Sequence, residues 1–158
     1  MIKIIEGDIL NAKEDIICHQ ANTMGVMGSG LAKQIKNKYP KVYENYHYIC
    51  QQALNRKESL LGQVIWGVLT SDGKIIGNLC GQNKYGRDKQ YTSYDALKKA
   101  LTVVYKSVTS PNSVLKDMTI AIPYKIGCGL GGGDWNIVYE MIEEIFKEYD
   151  VTIYKLKD

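Results

Sequence analysis

The chain has 158 residues, 45% of them apolar and 23% charged, which excludes a disordered or fibrous protein and suffices for one domain with its own core. Its net charge of +3 (20 basic against 17 acidic residues) is small and dispersed, so it gives no ground for a direct nucleic-acid partner. Four cysteines without C-x-x-C pairing, and no apolar run near the roughly 20 residues of a membrane span, indicate a reducing, cytoplasmic setting without membrane contact. The N-terminus MIKIIEGDIL opens on a strand pattern, not a signal peptide.

Residues 2–5 read as a β-branched strand ended by Gly7-Asp8. In EDIICHQAN, the run Ile16, Ile17, Cys18 has the unbroken apolar character of a buried central strand. It enters a glycine-rich turn, NTMGVMGSG, followed by a helix with Leu31, Ile35 and Tyr39 on one face. Pro40 starts a second helix, striped by Val42, Tyr46, Ile49, Cys50 and Ala53. Residues 63–69 and 74–80 read as two strands joined by the turn Ser71-Asp72-Gly73.

After the polar loop GQNKYGRDKQY, Thr92 or Ser93 caps a helix striped by Tyr94, Leu97, Leu101, Val104, Tyr105 and Val108. The strand MTIAI leads into PYKIGCGLGGGDW, with Gly127, Gly129, Gly131, Gly132 and Gly133 in seven positions. Asp134 caps a last periodic helix containing Trp135, Val138, Met141, Ile142, Ile145 and Phe146, and VTIYKL closes the chain as a strand. No repeat or linker divides the sequence, so residues 1–158 read as one domain. The alternation predicts an α/β fold, a three-layer α/β/α sandwich around a mixed central sheet.

Both glycine-rich turns follow a strand and precede a helix, so both should lie on the ligand-binding rim of the sheet. Dense glycines bare their backbone N–H groups, and the helix N-termini beyond add partial positive charge, which suits an anion. A Walker A loop is excluded, because Leu31 and Ala32 follow Gly30 where lysine and a hydroxyl are required. Gly127, Gly129 and Gly132 fit the dinucleotide pattern G-x-G-x-x-G, but only one more strand follows. The acidic residue such a fold needs is represented only by Asp158. The remaining reading uses the two loops together, holding one diphosphate between them.

The set formed by Gly7-Asp8, HQANTMGVMGSGLA and IGCGLGGGDW resembles the macrodomain family, which binds ADP-ribose, with motifs in family order across essentially the whole chain. The wording is similar to two branches, the ADP-ribose 1″-phosphate phosphatases and the terminal ADP-ribose protein glycohydrolases. The resemblance implies ADP-ribose or an ADP-ribosylated molecule as partner, ADP-ribosylated protein among them, with neither cofactor nor metal. It implies Asp8 and the Ile9 backbone against adenine and Asn22 against the distal ribose. It further implies Gly28, Ser29, Gly30 and Leu31 on one side of the diphosphate, and Gly127, Cys128, Gly129, Leu130, Gly131 and Gly132 on the other.

Each residue also has a plainer reading: Asp8 as a cap, Asn22 as a turn residue, Cys128 as loop packing, Trp135 as core. Tyr85 and Tyr91 could stack on ligand rings or be ordinary loop aromatics. His19 matches a histidine of the phosphatase branch and could act as base or acid, or be a satisfied core histidine. Cys18 and His19 are strand neighbours on opposite faces and make no metal pair. The glycohydrolase branch uses a lysine nucleophile and an aspartate, whose places are taken here by Gln82 and Gly131. Lys84 and Asp134 stand nearby as candidates to replace them. Gln82 cannot form a Schiff base, so catalysis here would use water, assisted by His19 or the substrate's phosphate.

Overall fold

The computed structural model describes residues 1–68 and 70–157. Among them, β1 (Ile2–Glu6), β2 (Ile16–Asn22), β3 (Val64–Gly67), β4 (Ile75–Gln82), β5 (Ile120–Pro123) and β6 (Val151–Lys155) form one sheet. The strand order is β1-β6-β5-β2-β4-β3, parallel throughout except for the antiparallel β3–β4 pair. The mixed sheet predicted from the sequence is therefore present. The hairpin strand expected over 63–69 is shorter, and its Leu69 lies outside the described residues, as does Asp158. Gly73, with φ of +78°, closes the hairpin turn, a conformation glycine adopts without cost.

Four helices cover the sheet: α1 (Gly30–Lys38), α2 (Pro40–Asn55), α3 (Tyr94–Thr109) and α4 (Trp135–Ile145). Side chains alternate across each strand, so β2 divides its residues between two cores. Ile17 packs with Ile76, Ile35, Tyr39 and Val42 on the α1/α2 side. Ile16 and Cys18 pack with Leu79, Leu97, Leu101 and Val138 on the α3/α4 side. Burial on both faces is why β2 reads as an unbroken apolar run. Ser93 is the cap of α3, its side chain accepting from Ala96 N–H, and Asp134 caps α4 by accepting from Asn136 N–H. No helix among the described residues is long and apolar enough to cross a membrane.

Because β1, β2, β4, β5 and β6 run parallel, their carboxyl ends share one rim. One feature of it was not predicted: a single 3-10 turn, Ile9–Asn11, follows β1 at once. Asp8 caps that turn, its Oδ1 accepting the Leu10 N–H at 3.0 Å.

Candidate functional site

Two cavities open side by side on this rim. The first, about 560 Å³, is walled by the ends of β2 and β4 and by both glycine-rich loops. The second, about 580 Å³, is walled by Asp8, Ile9, Gln34 and the end of β6. They meet along a common wall of Gly30, Leu31, Pro123, Tyr124 and Lys125. Each has the volume of a small-molecule site, and together they form a groove able to take an elongated ligand. Trp135 sits behind Tyr124 with ring centroids 5.1 Å apart and edge-on geometry, a packing residue of the core that backs the shared wall.

The first loop is shaped by one amide. Asn22 Oδ1 accepts the Met24 N–H at 3.0 Å and the Val26 N–H at 3.3 Å, while Nδ2 donates to Val26 O at 2.8 Å. The buried Tyr46 hydroxyl lies 2.6 Å from Asn22 O and 2.9 Å from Oδ1. Asn22 thus organises the loop, and only its second Nδ2 proton is left for a ligand. Beyond it α1 begins at Ser29, whose side chain makes no capping bond. The first-turn N–H groups of Gly30, Leu31 and Ala32 are left without intrahelical acceptors at the wall of the cavity. Such an end attracts negative charge.

The second loop, after β5, is folded on its own backbone. Gly127 O accepts the Gly133 N–H at 2.9 Å, and Gly129 O accepts the Gly132 N–H at 3.0 Å. Lys125 holds φ of +61°, a left-handed conformation uncommon outside glycine, and turns the chain into the loop. The N–H groups of Gly129, Leu130 and Gly131 donate to no acceptor among the described residues, and all three residues line the first cavity. Cys128 and Gly132 do not. Cys128 packs against the α3/α4 core and donates its thiol to Ile126 O, and Gly132 lies against Gln90. Burial, with the Asp134 carboxylate adding to it, pushes the Cys128 thiol up to about 11, which removes it as a thiolate nucleophile.

His19 also lies in the cavity wall, only 2% exposed. Its Nε2 is 2.6 Å from Asn78 Oδ1. Asn78 Nδ2 donates to Ile65 O at 2.9 Å, so Oδ1 is the acceptor and the His19 proton sits on Nε2. Nδ1 has no partner. Burial lowers the imidazole to about 4, against the opposing pull of the Asn78 bond. At neutral pH His19 is therefore uncharged, with its proton held by Asn78 and its free lone pair on Nδ1. That geometry allows an acceptor and denies the role of proton donor.

Neither candidate replacement for the missing lysine and aspartate reaches the cavity wall. Lys84 is exposed, and its carbonyl accepts from Gln82 Nε2 at 2.7 Å. Asp134 is occupied as the α4 cap. Gln82 and Tyr85 do line the cavity, whereas Tyr91 bonds Asp88 outside it.

The Macro domain family profile matches residues 18–142. The chain belongs to the macrodomain family. Its relatives include human ADP-ribose glycohydrolase OARD1, 32% identical over 98% of this chain and 91% of that protein. A Mycobacterium tuberculosis DNA ADP-ribosyl glycohydrolase is 28% identical over 98% of this chain and 42% of its own length. The solved macrodomain of M. tuberculosis DarG superposes with a TM-score of 0.77 at 27% identity, covering 98% and 97% of the two chains. The chain spans about two fifths of the length of the full-length bacterial glycohydrolases it matches.

In this macrodomain the structure gathers Asn22, Gly28, Ser29, Gly30, Leu31, Gln82, Gly127, Gly129, Leu130 and Gly131 with His19 around the first cavity, and Asp8 with Ile9 around the second. Sequence reasoning passed over Gln20, Asn78 and Tyr124 and read Thr92 only as a candidate helix cap. Gln20 had one available cue: it stands two residues before Asn22, at the end of a strand that opens into a glycine turn. Asn78 becomes visible only once β2 and β4 are in register, His19 facing Asn78.

Proposed function

We propose that this macrodomain binds ADP-ribose along the groove and hydrolyses an ADP-ribose derivative in the first cavity. The observation that carries the reading is the pair of bare backbone arrays. The uncapped N-terminus of α1 and the unpaired N–H groups of Gly129, Leu130 and Gly131 line one cavity. Donors fixed in advance suit a diphosphate, because they need no reorganisation when the anion arrives. Asp8 and Ile9, in the second cavity, take the adenine end; the free Asp8 oxygen is the acceptor for an exocyclic amine. The distal ribose then falls between Asn22, Ser29 and the Gly127–Gly131 segment.

For hydrolysis the attacking water lies in the cavity; His19 Nδ1 is uncharged but buried, so it would accept from that water only where ligand binding opens the wall. A base lowered to about 4 orients water more than it deprotonates it, so the rate would come from positioning and from substrates with good leaving groups. Gln82 forms no covalent intermediate. The candidate substrates are ADP-ribosylated protein, ADP-ribose 1″-phosphate and O-acetyl-ADP-ribose. Calorimetry with ADP-ribose tests the binding; no heat of binding would sink the whole reading. Turnover of the three substrates by wild type and His19→Ala tests the chemistry.

One observation favours a second reading, a non-catalytic ADP-ribose reader. Among the described residues, the wall of the first cavity contains no carboxylate, and its single lysine is Lys125. Tight ADP-ribose binding with no turnover of any of the three substrates would select it.

A further inference from the structure

Two buried side-chain acceptors lack a donor among the described residues, His19 Nδ1 and Gln20 Oε1, and both residues belong to the wall of the first cavity. The hydrolytic reading gives Gln20 no role. Its Nε2 donates to Gln82 Oε1 and to Thr92 Oγ1, each at 2.7 Å. Thr92, itself buried, donates its hydroxyl to Gly127 O at 2.7 Å, and Gln82 Nε2 donates to Lys84 O at 2.7 Å. The directions are forced. Gly127 O can only accept, so the single Thr92 proton goes there and Gln20 must present its N–H to Thr92. One carboxamide on the central strand thereby joins the end of β4, the segment leading to α3, and the second glycine-rich loop.

The space for this chain of bonds is made by missing side chains. A Cβ on Gly81 would stand 2.2 Å from Gln20 Oε1, and one on Gly127 at 2.9 Å. A Cβ on Gly131 would stand 2.3 Å from Thr92 Oγ1 and 3.0 Å from Gln20 Nε2. The backbone closes the same joint, with Tyr91 and Thr92 N–H groups donating to Gly131 O at 2.9 and 3.0 Å. Every member is uncharged, so the joint adds rigidity without adding a titrating group to the cavity.

We propose that Gln20 is a positioning residue. Through Thr92 and Gln82 it fixes the separation between the Tyr85 segment and the Gly127–Gly131 loop, at the end of the groove remote from Asp8. It thereby favours ligands with a distal ribose over nucleotides that stop at the diphosphate. This rests on the ADP-ribose reading above, and the test keeps the two apart.

Thr92→Val preserves shape and removes the hydroxyl, and Thr92→Ser restores it. Thr92→Val should weaken ADP-ribose about tenfold, the scale of one buried hydrogen bond with an orphaned partner, and ADP by a clearly smaller factor, because ADP engages the loop through its diphosphate alone. Thr92→Ser should return to wild type, and Gln20→Leu should repeat the Thr92→Val pattern. Without ligand, amide hydrogen exchange over residues 127–133 should speed up in Thr92→Val and Gln20→Leu but not in Thr92→Ser. Equal weakening of ADP and ADP-ribose, or unchanged ADP-ribose affinity, overturns the proposal. Should wild type bind no ADP-ribose, the functional reading fails, and the exchange data alone decide the joint: unchanged exchange over 127–133 overturns it.

Discussion

The two glycine-rich loops face each other across one cavity and are built on opposite principles. The first is tied by a side chain, the Asn22 amide, with Tyr46 behind it. The second is tied mainly by its own backbone, with the Thr92 hydroxyl bonded to Gly127 O, and leaves no room for a Cβ at Gly127, Gly131 or Gly133. Both end with N–H groups bare toward the cavity. The difference teaches that each must fail differently: the first by losing an atom group, the second by gaining one.

Asn22→Leu should be the more damaging to stability. It keeps the volume and strands the Met24 and Val26 N–H groups and the Val26 carbonyl, all partly buried, while the Tyr46 hydroxyl keeps its bond to the backbone carbonyl of residue 22. Orphaned groups of this kind cost roughly 1–3 kcal/mol each, so a loss of about 3 kcal/mol is expected in denaturant unfolding. A loss below about 1 kcal/mol would mean that the amide does not organise the loop.

Gly131→Ala should act in the reverse sense, sparing the core and striking the ligand. The new Cβ would meet Thr92 Oγ1 at 2.3 Å and Gly127 O at 2.8 Å, and the latter is backbone. The loop must move, carrying the N–H groups of Gly129 to Gly131 off the anion. Loss of two charge-assisted bonds predicts at least about a hundredfold weaker ADP-ribose binding by calorimetry, with a smaller loss of stability than Asn22→Leu because the displaced segment is a rim loop. Affinity within about threefold of wild type would show that these N–H groups hold nothing.

These two residues also mark how far the sequence could be read. Strands were legible as short apolar runs, as at Ile16 to Cys18, and helices because apolar residues recur about every 3.6 positions, as from Leu31. Both loops were legible from glycine density, and Asn22 and Gly131 were recognised as positions of interest. Their physical roles were not. Asn22 looks like a free amide until Tyr46 is brought in from α2. Gly131 looks like an aspartate lost from the family's pattern until Thr92 is seen in the space a side chain would need. Register and long-range packing supply such facts, and neither leaves a local pattern.

His19 lies between the loops and gives a pH test of the same wall. Its folded value of about 4 lies below the ordinary 6.5, so the unfolded chain binds the proton more tightly. Stability is therefore full above pH 6.5 and falls as pH drops through the window from 6.5 to about 4. Between pH 7 and pH 5 the loss from this one group should be about 2 kcal/mol. His19→Gln should flatten that part of the profile in urea unfolding followed at both pH values. An unchanged slope would mean that His19 binds its proton equally well in the folded and the unfolded chain, and burial would then not lower it.

Ser29→Asp should give the smallest effect and the most direct contrast between loop stability and ligand binding. Ser29 is the α1 cap residue, exposed, with an unused side chain. An aspartate there can accept from the bare N–H groups and interacts favourably with the helix end, raising stability by about 0.5–1 kcal/mol. The same carboxylate occupies the donors that an incoming diphosphate requires and repels its charge. ADP-ribose affinity should fall by about tenfold while the unfolding midpoint rises. Opposite signs for one substitution are hard to obtain unless the α1 N-terminus is left uncapped for a ligand. A variant more stable than wild type that binds ADP-ribose equally well would remove α1 from the anion site and leave the second loop to hold the diphosphate alone.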